Sequence, residues 1–315
     1  MSFALDVKKE LTTIPVTKKC CQLAQIAGFL RFAGSVTPAG GRKGLRVSTH
    51  NPAAARMFIT LVKEYFGTKG SLSIDSADMP VAGGRVYELN ISPEMNSEGI
   101  LREAGMIGVR EGYDYVTEGI APDIIKKRCC RKAYLRGAFI ACGTISDPAK
   151  AYHLELPCDR EDLASDVRKL VNSFGLKARI TKRRGRSVVY LKDSEQISDL
   201  LGLMGAASHL FRFENVRVTK EVRGKVNRIN NCESANLQKS VNAAQKQIED
   251  IKLIEKNRGL DALPLKLKQA AVLRLENPEL PLSELAAMMD PPLAKSGLNH
   301  RFAKLAEIAG SIRGE

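Results

Sequence analysis

Lys18 to Val36 reads KKCCQLAQIAGFLRFAGSV, and Lys127 to Ile145 reads KRCCRKAYLRGAFIACGTI. A single shift of 109 residues lays Lys18, Cys20, Cys21, Ala24, Gly28 and Gly34 on Lys127, Cys129, Cys130, Ala133, Gly137 and Gly143. Self-similarity at a fixed offset is the signature of a duplicated unit. Within each copy the small residues fall four apart, Ala24 with Gly28 and Ala133 with Gly137, which puts each pair on one helical face. A glycine inside a helix costs ~1 kcal/mol against alanine, so a packing gain is expected to offset it. The two helices are therefore expected to cross each other on these strips, at a pseudo-twofold between the copies.

The correspondence continues downstream. In the first copy, Leu45 to Ser48 reads as a strand and Met57 to Phe66 as a helix stopped by Gly67. In the second, Tyr152 to Leu156 is the strand and Leu163 to Phe174 the helix stopped by Gly175. Alternating residues then predict hairpins, Ser71–Ile74 with Arg85–Ile91 and Lys177–Thr181 with Ser187–Leu191. Helices beginning near Ile100 and Ile197 close the copies. Each unit reads helix, two strands, helix, two strands, helix.

Gln25 to Ser35 (QIAGFLRFAGS) resembles the LAGLIDADG helix of homing endonucleases, and Leu135 to Gly143 (LRGAFIACG) resembles its second copy. The resemblance implies two αββαββα units whose sheets form a DNA-binding saddle, with an acidic residue ending each motif helix to hold a divalent metal. Here that acidic position falls on Ala33 and on Cys142. A hard cation needs carboxylate or water oxygens, which a methyl and a thiol do not supply. The scaffold is kept and the cleavage chemistry is expected to be lost, leaving no metal, no cofactor and no catalytic residue.

Composition agrees with a polyanionic partner. The 315 residues carry 49 Lys and Arg against 35 Asp and Glu, a formal charge of +14, which favours nucleic acid or an anionic surface. Leu23 to Val36, the most apolar early stretch, is cut by Gln25 and Arg31, and no run reaches ~20 apolar residues, so no membrane partner is expected. The first ten residues lack a signal-peptide pattern, which points to the cytoplasm. Cys20, Cys21, Cys129, Cys130, Cys142, Cys158 and Cys232 show no Cys-x-x-Cys spacing and no nearby His, so reduced, mostly buried thiols are expected.

Positive charge gathers towards the carboxy terminus. Lys177 to Lys192 has seven cations and no acid, and Arg212 to Arg228 has six against two. Asn231 to Arg258 carries a stripe of helical period (Leu237, Val241, Ala244, Ile248, Ile251), expected to join the repeat domain to an end module, with a coiled-coil dimer as the alternative. Pro264 opens a further helix that Pro278 closes. Pro281 leads into LSELAAMMD, with Ser283 as a candidate N-cap and Leu282, Leu285 and Met289 inward. After the Asp290-Pro291-Pro292 turn a last helix buries Leu298, Phe302 and Leu305 and presents Lys295, Ser296, Asn299, His300, Arg301 and Lys304. A helix-turn-helix lays such a second helix in the major groove. Asn299 suits adenine; Arg301 and Lys304, with Arg223, Lys225 and Arg228, suit phosphates. His300 is read as a surface or phosphate donor and not as a catalyst.

Arg228 to Lys239 (RINNCESANLQK) and Asp290 to Arg301 (DPPLAKSGLNHR), joined to the degenerate repeats, resemble the WhiA family of bacterial sporulation and cell-division regulators over nearly the whole chain. The expected fold is α+β: a degenerate LAGLIDADG-like domain at 1–222, with repeats at about 18–110 and 127–210, then an all-α DNA-binding domain at 223–315, with a helix-turn-helix at about 282–309. The resemblance implies a sequence-specific transcriptional regulator acting at promoters and on the chromosome, in cell division, chromosome segregation or sporulation, nucleoid-associated, with a candidate protein partner on the repeat domain. Two alternatives stay open on sequence alone. One is an active endonuclease in which Glu103, Asp147 or another carboxylate replaces the lost acids. The other is a basic module that binds protein or RNA.

Overall fold

The structure, a computed structural model, describes residues 2–67, 75–79 and 84–314. By its internal contacts the chain divides between Lys220 and Glu221.

In the first unit, α1 (Phe3–Thr12) precedes copy one: α2 (Lys19–Ala33), β1 (Gly34–Ala39), β2 (Arg42–Thr49), α3 (Pro52–Phe66), β3 (Asp75–Met79), β4 (Gly84–Ile91) and α4 (Ser97–Glu103). A small hairpin of β5 (Ile107–Arg110) and β6 (Tyr113–Val116) follows. Copy two is α5 (Arg128–Cys142), β7 (Thr144–Ile145), β8 (Leu154–Cys158), α6 (Glu161–Asn172), β9 (Arg179–Arg183), β10 (Arg186–Leu191) and α7 (Ser194–Met204). The sheets run β1-β2-β4-β3 and β7-β8-β10-β9, the same order twice and antiparallel throughout. Leu45, Val47 and Thr49 point inward on β2, as do Leu154, Leu156 and Cys158 on β8, with the two-residue period of a half-buried sheet.

Helix α2 is buried at every residue from Ala24 to Leu30, the pattern of a helix with no solvent face over that stretch. It crosses α5 backbone to backbone. A Cβ built on Gly28 would stand 2.2 Å from the carbonyl oxygen of Tyr134, and one on Gly137 would stand 2.2 Å from that of Gln25. Only glycine permits this approach, as the spacing of small residues predicts. Local signals set the surrounding elements. The Asn51 side chain accepts from the N–H groups of Ala53 (3.0 Å) and Ala54 (3.4 Å) at the start of α3, which satisfies orphan donors. Asp193 caps α7 by accepting from Gln196 N–H at 3.0 Å.

Several expectations need correction. Ser71–Ile74 lie outside the described residues, and the strand that pairs with β4 is Asp75–Met79. Strand β9 is Arg179–Arg183 and not Lys177–Thr181. Arg184 and Gly185 both take positive φ (51° and 78°), the two-residue turn that matches strand twist, so the cations up to Arg183 stay in the ladder. Helix α1 and the β5–β6 hairpin have no counterpart in the sequence reading.

The long helix α8 (Ala207–Arg258) begins well before Asn231. Its leading part is rich in charge and lacks a buried stripe, so periodicity gives no signal there. Leu237 and Val241 are 67% and 50% exposed; from Ala244 onward the stripe is covered, with Ala244 and Ile251 buried and Ile248 half-buried. In the second unit α9 (Leu265–Glu276), α10 (Leu282–Ala287) and α11 (Lys295–Arg313) follow. Ser283 is not the cap of α10: Pro281 holds that position and no side chain caps it. The last helix continues to Arg313, beyond Leu305.

Candidate nucleic-acid interface

The second unit has its own core. Ile251 and Ile254 of α8, Leu267 and Ala271 of α9, Leu285 and Met289 around α10, and Leu298, Phe302 and Leu305 of α11 are buried together. Backbone N–H of Leu293 donates to the carbonyl of Ala286 at 2.9 Å, closing the turn between α10 and α11. Lys295, Ser296, Asn299, His300 and Lys304 are exposed on the opposite face of α11. No acid lies between Lys295 and Lys304. Arg301 is only half-buried and donates to the Lys266 carbonyl at 3.2 Å, so this side chain also ties α11 to α9.

Lys295 and Asn299 line a polar groove with Ser283 before them and Asn236 and Lys239 of α8 across from them. The two stretches that carried the most specific resemblance, Arg228–Lys239 and Asp290–Arg301, therefore meet. Arg223, Lys225 and Arg228 are exposed nearer the start of α8 and do not line this groove; Lys225 pairs with Glu221 at 3.1 Å. Sequence reasoning missed Arg274. Its side chain is 2% exposed, donates to Leu280 O at 2.8 Å and Gln247 Oε1 at 3.1 Å, and lies 5.5 Å from the centre of the Phe302 ring. Burial lowers its pKa. Arg274 thus anchors the helix that carries the exposed face.

The basic hairpin of the first unit is less free than its sequence suggests. Lys182 pairs with Glu161 at 3.0 Å, Arg183 with Glu155 at 3.0 Å and Arg186 with Asp159 at 3.3 Å.

The resemblance of α2 and α5 to homing-endonuclease motif helices implies a divalent metal where they end, and the residues present do not fit one. Ala33 offers a methyl. Cys142 donates its S–H to the Ala138 carbonyl at 3.4 Å, and burial pushes its thiol pKa up. Lys8 of α1 stands close enough to interact with Cys142 electrostatically; burial lowers the lysine's pKa. Glu103 is bonded to the Tyr65 hydroxyl at 3.0 Å, and Asp147 accepts from Ala149 N–H at 2.9 Å.

The cysteines are free thiols, buried or half-buried except for Cys232, as expected, but four of them gather at the opposite, N-terminal ends of the same helices, which chain spacing did not indicate. Cys20, Cys21, Cys129 and Cys130 bring their Sγ atoms within 4.8 Å of one another. Burial pushes Cys21 up to about 11 and Cys130 up to about 12, whereas a hydrogen bond from Cys21 holds Cys129 below the ordinary thiol value.

Three family models match the chain: the WhiA N-terminal LAGLIDADG-like domain over residues 19–107, the WhiA LAGLIDADG-like domain over 131–223, and the WhiA C-terminal HTH domain over 226–309. The chain belongs to the WhiA family. "Probable cell division protein WhiA" of Alkaliphilus metalliredigens (strain QYMF) is 40% identical over 100% of this chain and 99% of its own length. The protein of the same description from Clostridium perfringens (strain 13 / Type A) is 40% identical over 99% of each. The solved full-length WhiA from Thermatoga maritima covers 99% of both chains at a TM-score of 0.60 and 25% identity. A solved N-terminal LAGLIDADG domain of WhiA covers 65% of this chain and 90% of its own at 0.52 and 21%, a likeness of fold. The α+β architecture, a duplicated LAGLIDADG-like domain followed by a helix-turn-helix, is that of WhiA.

Proposed function

We propose that this WhiA-family chain is a sequence-specific DNA-binding regulator of transcription, acting in cell division, chromosome segregation or sporulation, and that it is not a nuclease. The observation that carries the reading is the outward face of α11, where Lys295, Ser296, Asn299, His300 and Lys304 stand exposed on a helix anchored by Leu298, Phe302 and Leu305. Such a helix enters the major groove with its N-terminal residues at base edges. Lys295, Ser296 and Asn299 then read bases, and Lys304, Arg301, Arg223, Lys225 and Arg228 take phosphates. Lys239, across the groove, adds a cation that the sequence reading did not assign.

The absence of acids at Ala33 and Cys142, with Lys8 within electrostatic reach of the latter, supports a non-catalytic repeat domain; a protein partner on that domain completes the reading. Among the described residues no helix is long and apolar enough to cross a membrane; a nucleoid-associated, cytoplasmic protein is the corresponding reading. Selection of bound duplexes from a random library tests the proposal. A recovered motif supports it. Equal retention of all duplexes and of RNA hairpins favours the interaction-module alternative, and Mg²⁺-dependent nicking by stoichiometric protein favours the endonuclease.

A further inference from the structure

The four clustered cysteines lie on the seam that joins the copies. Cys21, Ala24 and Gly28 are spaced three and four apart on α2, as are Cys130, Ala133 and Gly137 on α5, so each triad shares one helical face. The glycines bring the backbones into contact. Two turns towards the N-termini, the same seam carries thiols instead of small side chains. The duplication therefore places two Cys-Cys pairs, distant in sequence, opposite each other.

Adjacent cysteines on one helix make a poor chelate, so spacing along the chain carries no metal signal. Two such pairs facing one another supply four donors around one point. A tetrahedral Zn²⁺ site has Zn–S bonds of about 2.3 Å, hence sulfur–sulfur edges of about 3.8 Å. Here the Cys129 and Cys130 sulfurs are 4.0 Å apart and all pairs fall within 4.8 Å, so an ion at the centre asks for a contraction of less than about 1 Å. Cys21 and Cys130 are buried, while Cys20 and Cys129 are partly open, which gives an entry path. The charge balance also fits. A tetrathiolate around a divalent ion carries two negative charges, and Lys18, Lys19, Lys127 and Arg128 flank the four sulfurs at helix N-termini that have no acid in their first turns. Helix N-termini favour negative charge.

We infer that Cys20, Cys21, Cys129 and Cys130 form a tetrathiolate site for a single thiophilic divalent ion, Zn²⁺, which clamps the leading helices of the two copies. On binding, each thiol yields its proton to solvent and each sulfur gives a lone pair to the ion. Four soft donors in a tetrahedron select Zn²⁺ over hard cations such as Mg²⁺. The ion would sit at the N-terminal ends of α2 and α5, away from Ala33 and Cys142. This inference does not depend on the DNA-binding reading.

The full-length protein, reduced and freed of metal, is incubated with Zn²⁺, passed over a mild chelator and analysed for metal; a parallel sample is loaded with Co²⁺ and its visible spectrum recorded. About one Zn²⁺ per chain is expected, together with the d–d and thiolate-to-metal charge-transfer bands of tetrahedral, sulfur-bound Co²⁺. Cys21→Ser with Cys130→Ser should lose both signals, and Cys158→Ser should keep them. The Co²⁺ spectrum of the unsubstituted protein decides the ligand set even where a variant fails to fold. Three results overturn the inference: metal retention no greater than in the double variant, a spectrum without sulfur charge transfer, or seven freely titrating thiols in the presence of stoichiometric Zn²⁺. An intact mass two hydrogens short under reducing conditions also overturns it, in favour of a disulfide.

Discussion

The carboxylate of Glu10, on α1, closes on His209 in the first turn of α8. Oε2 accepts from the His209 backbone N–H at 3.1 Å and meets the ring Nδ1, while Oε1 accepts from the Ser208 N–H at 2.7 Å. One side chain from the start of the chain thus caps a helix some two hundred residues later. Burial works to raise the Glu10 pKa, but the hydrogen bonds from His209 and Ser208 outweigh it and the net shift is downward. A depressed folded-state pKa means stabilisation that is full above the unfolded carboxylate value of about 4.3 and lost as pH falls through the lower folded value. Glu10→Gln is expected to cost about 1 kcal/mol at neutral pH, the ordinary worth of a helix cap. Urea midpoints of the two proteins should converge in acid; a gap that persists there removes the charged cap from the account.

At the helix crossing, Gly28→Ala and Gly137→Ala each drive a methyl into a backbone carbonyl oxygen. Overpacking of this kind costs about 1–3 kcal/mol, more than the ~1 kcal/mol that alanine gains as a helix former. Gly224→Ala, on α8 with open space around it, should instead stabilise by up to ~1 kcal/mol. Thermal or urea unfolding of the three variants checks the opposed signs.

Arg274→Met keeps much of the side-chain volume but strips Leu280 O and Gln247 Oε1 of their donor. Each acceptor is half-buried, so leaving it unpaired costs up to about 1–3 kcal/mol, the penalty of a fully buried group being the ceiling. The second unit should melt earlier and duplex binding should fall with it. Arg274→Lys should not rescue either property, because an ammonium lacks the guanidinium's fork of donors.

Asn299→Ala is expected to relax preference at one base pair by about 1–3 kcal/mol, and Lys304→Ala to weaken all sequences alike while reducing the slope of log affinity against log salt by about 1. Arg301→Ala should also weaken all sequences, with part of its effect appearing as lower stability because the side chain holds the Lys266 carbonyl. Titrations against the selected duplex and a scrambled one, at several salt concentrations, separate the cases. Unchanged binding by Asn299→Ala and Lys304→Ala together would remove α11 from the groove.

What the sequence made legible was whatever repeats or keeps a period. The glycine seam, the twin sheets and the inward Leu298, Phe302 and Leu305 all follow from spacing of small or apolar residues. What it concealed depends on partners far along the chain. Arg274 looks like any surface arginine until Leu280 and Gln247 surround it. Lys182, Arg183 and Arg186 look like a free basic patch until Glu161, Glu155 and Asp159 meet them. Adjacent cysteines fail every local spacing rule for a chelate, because the partner of each pair is supplied by the other copy. Exposure of Leu237 and Val241 was hidden for a simpler reason: periodicity reports that one face is apolar, not that anything covers it.

Lys8, within electrostatic reach of Cys142, bears on metal binding at the helix ends. A carboxylate placed at 142 would meet the Lys8 amine, tethered to the fold and able to compete with any dissolved cation for its charge. Building a divalent-metal site at these helix ends would then require removal of a positive group on α1 as well as acids on the motif helices, so substitution at the two motif helices alone would not suffice.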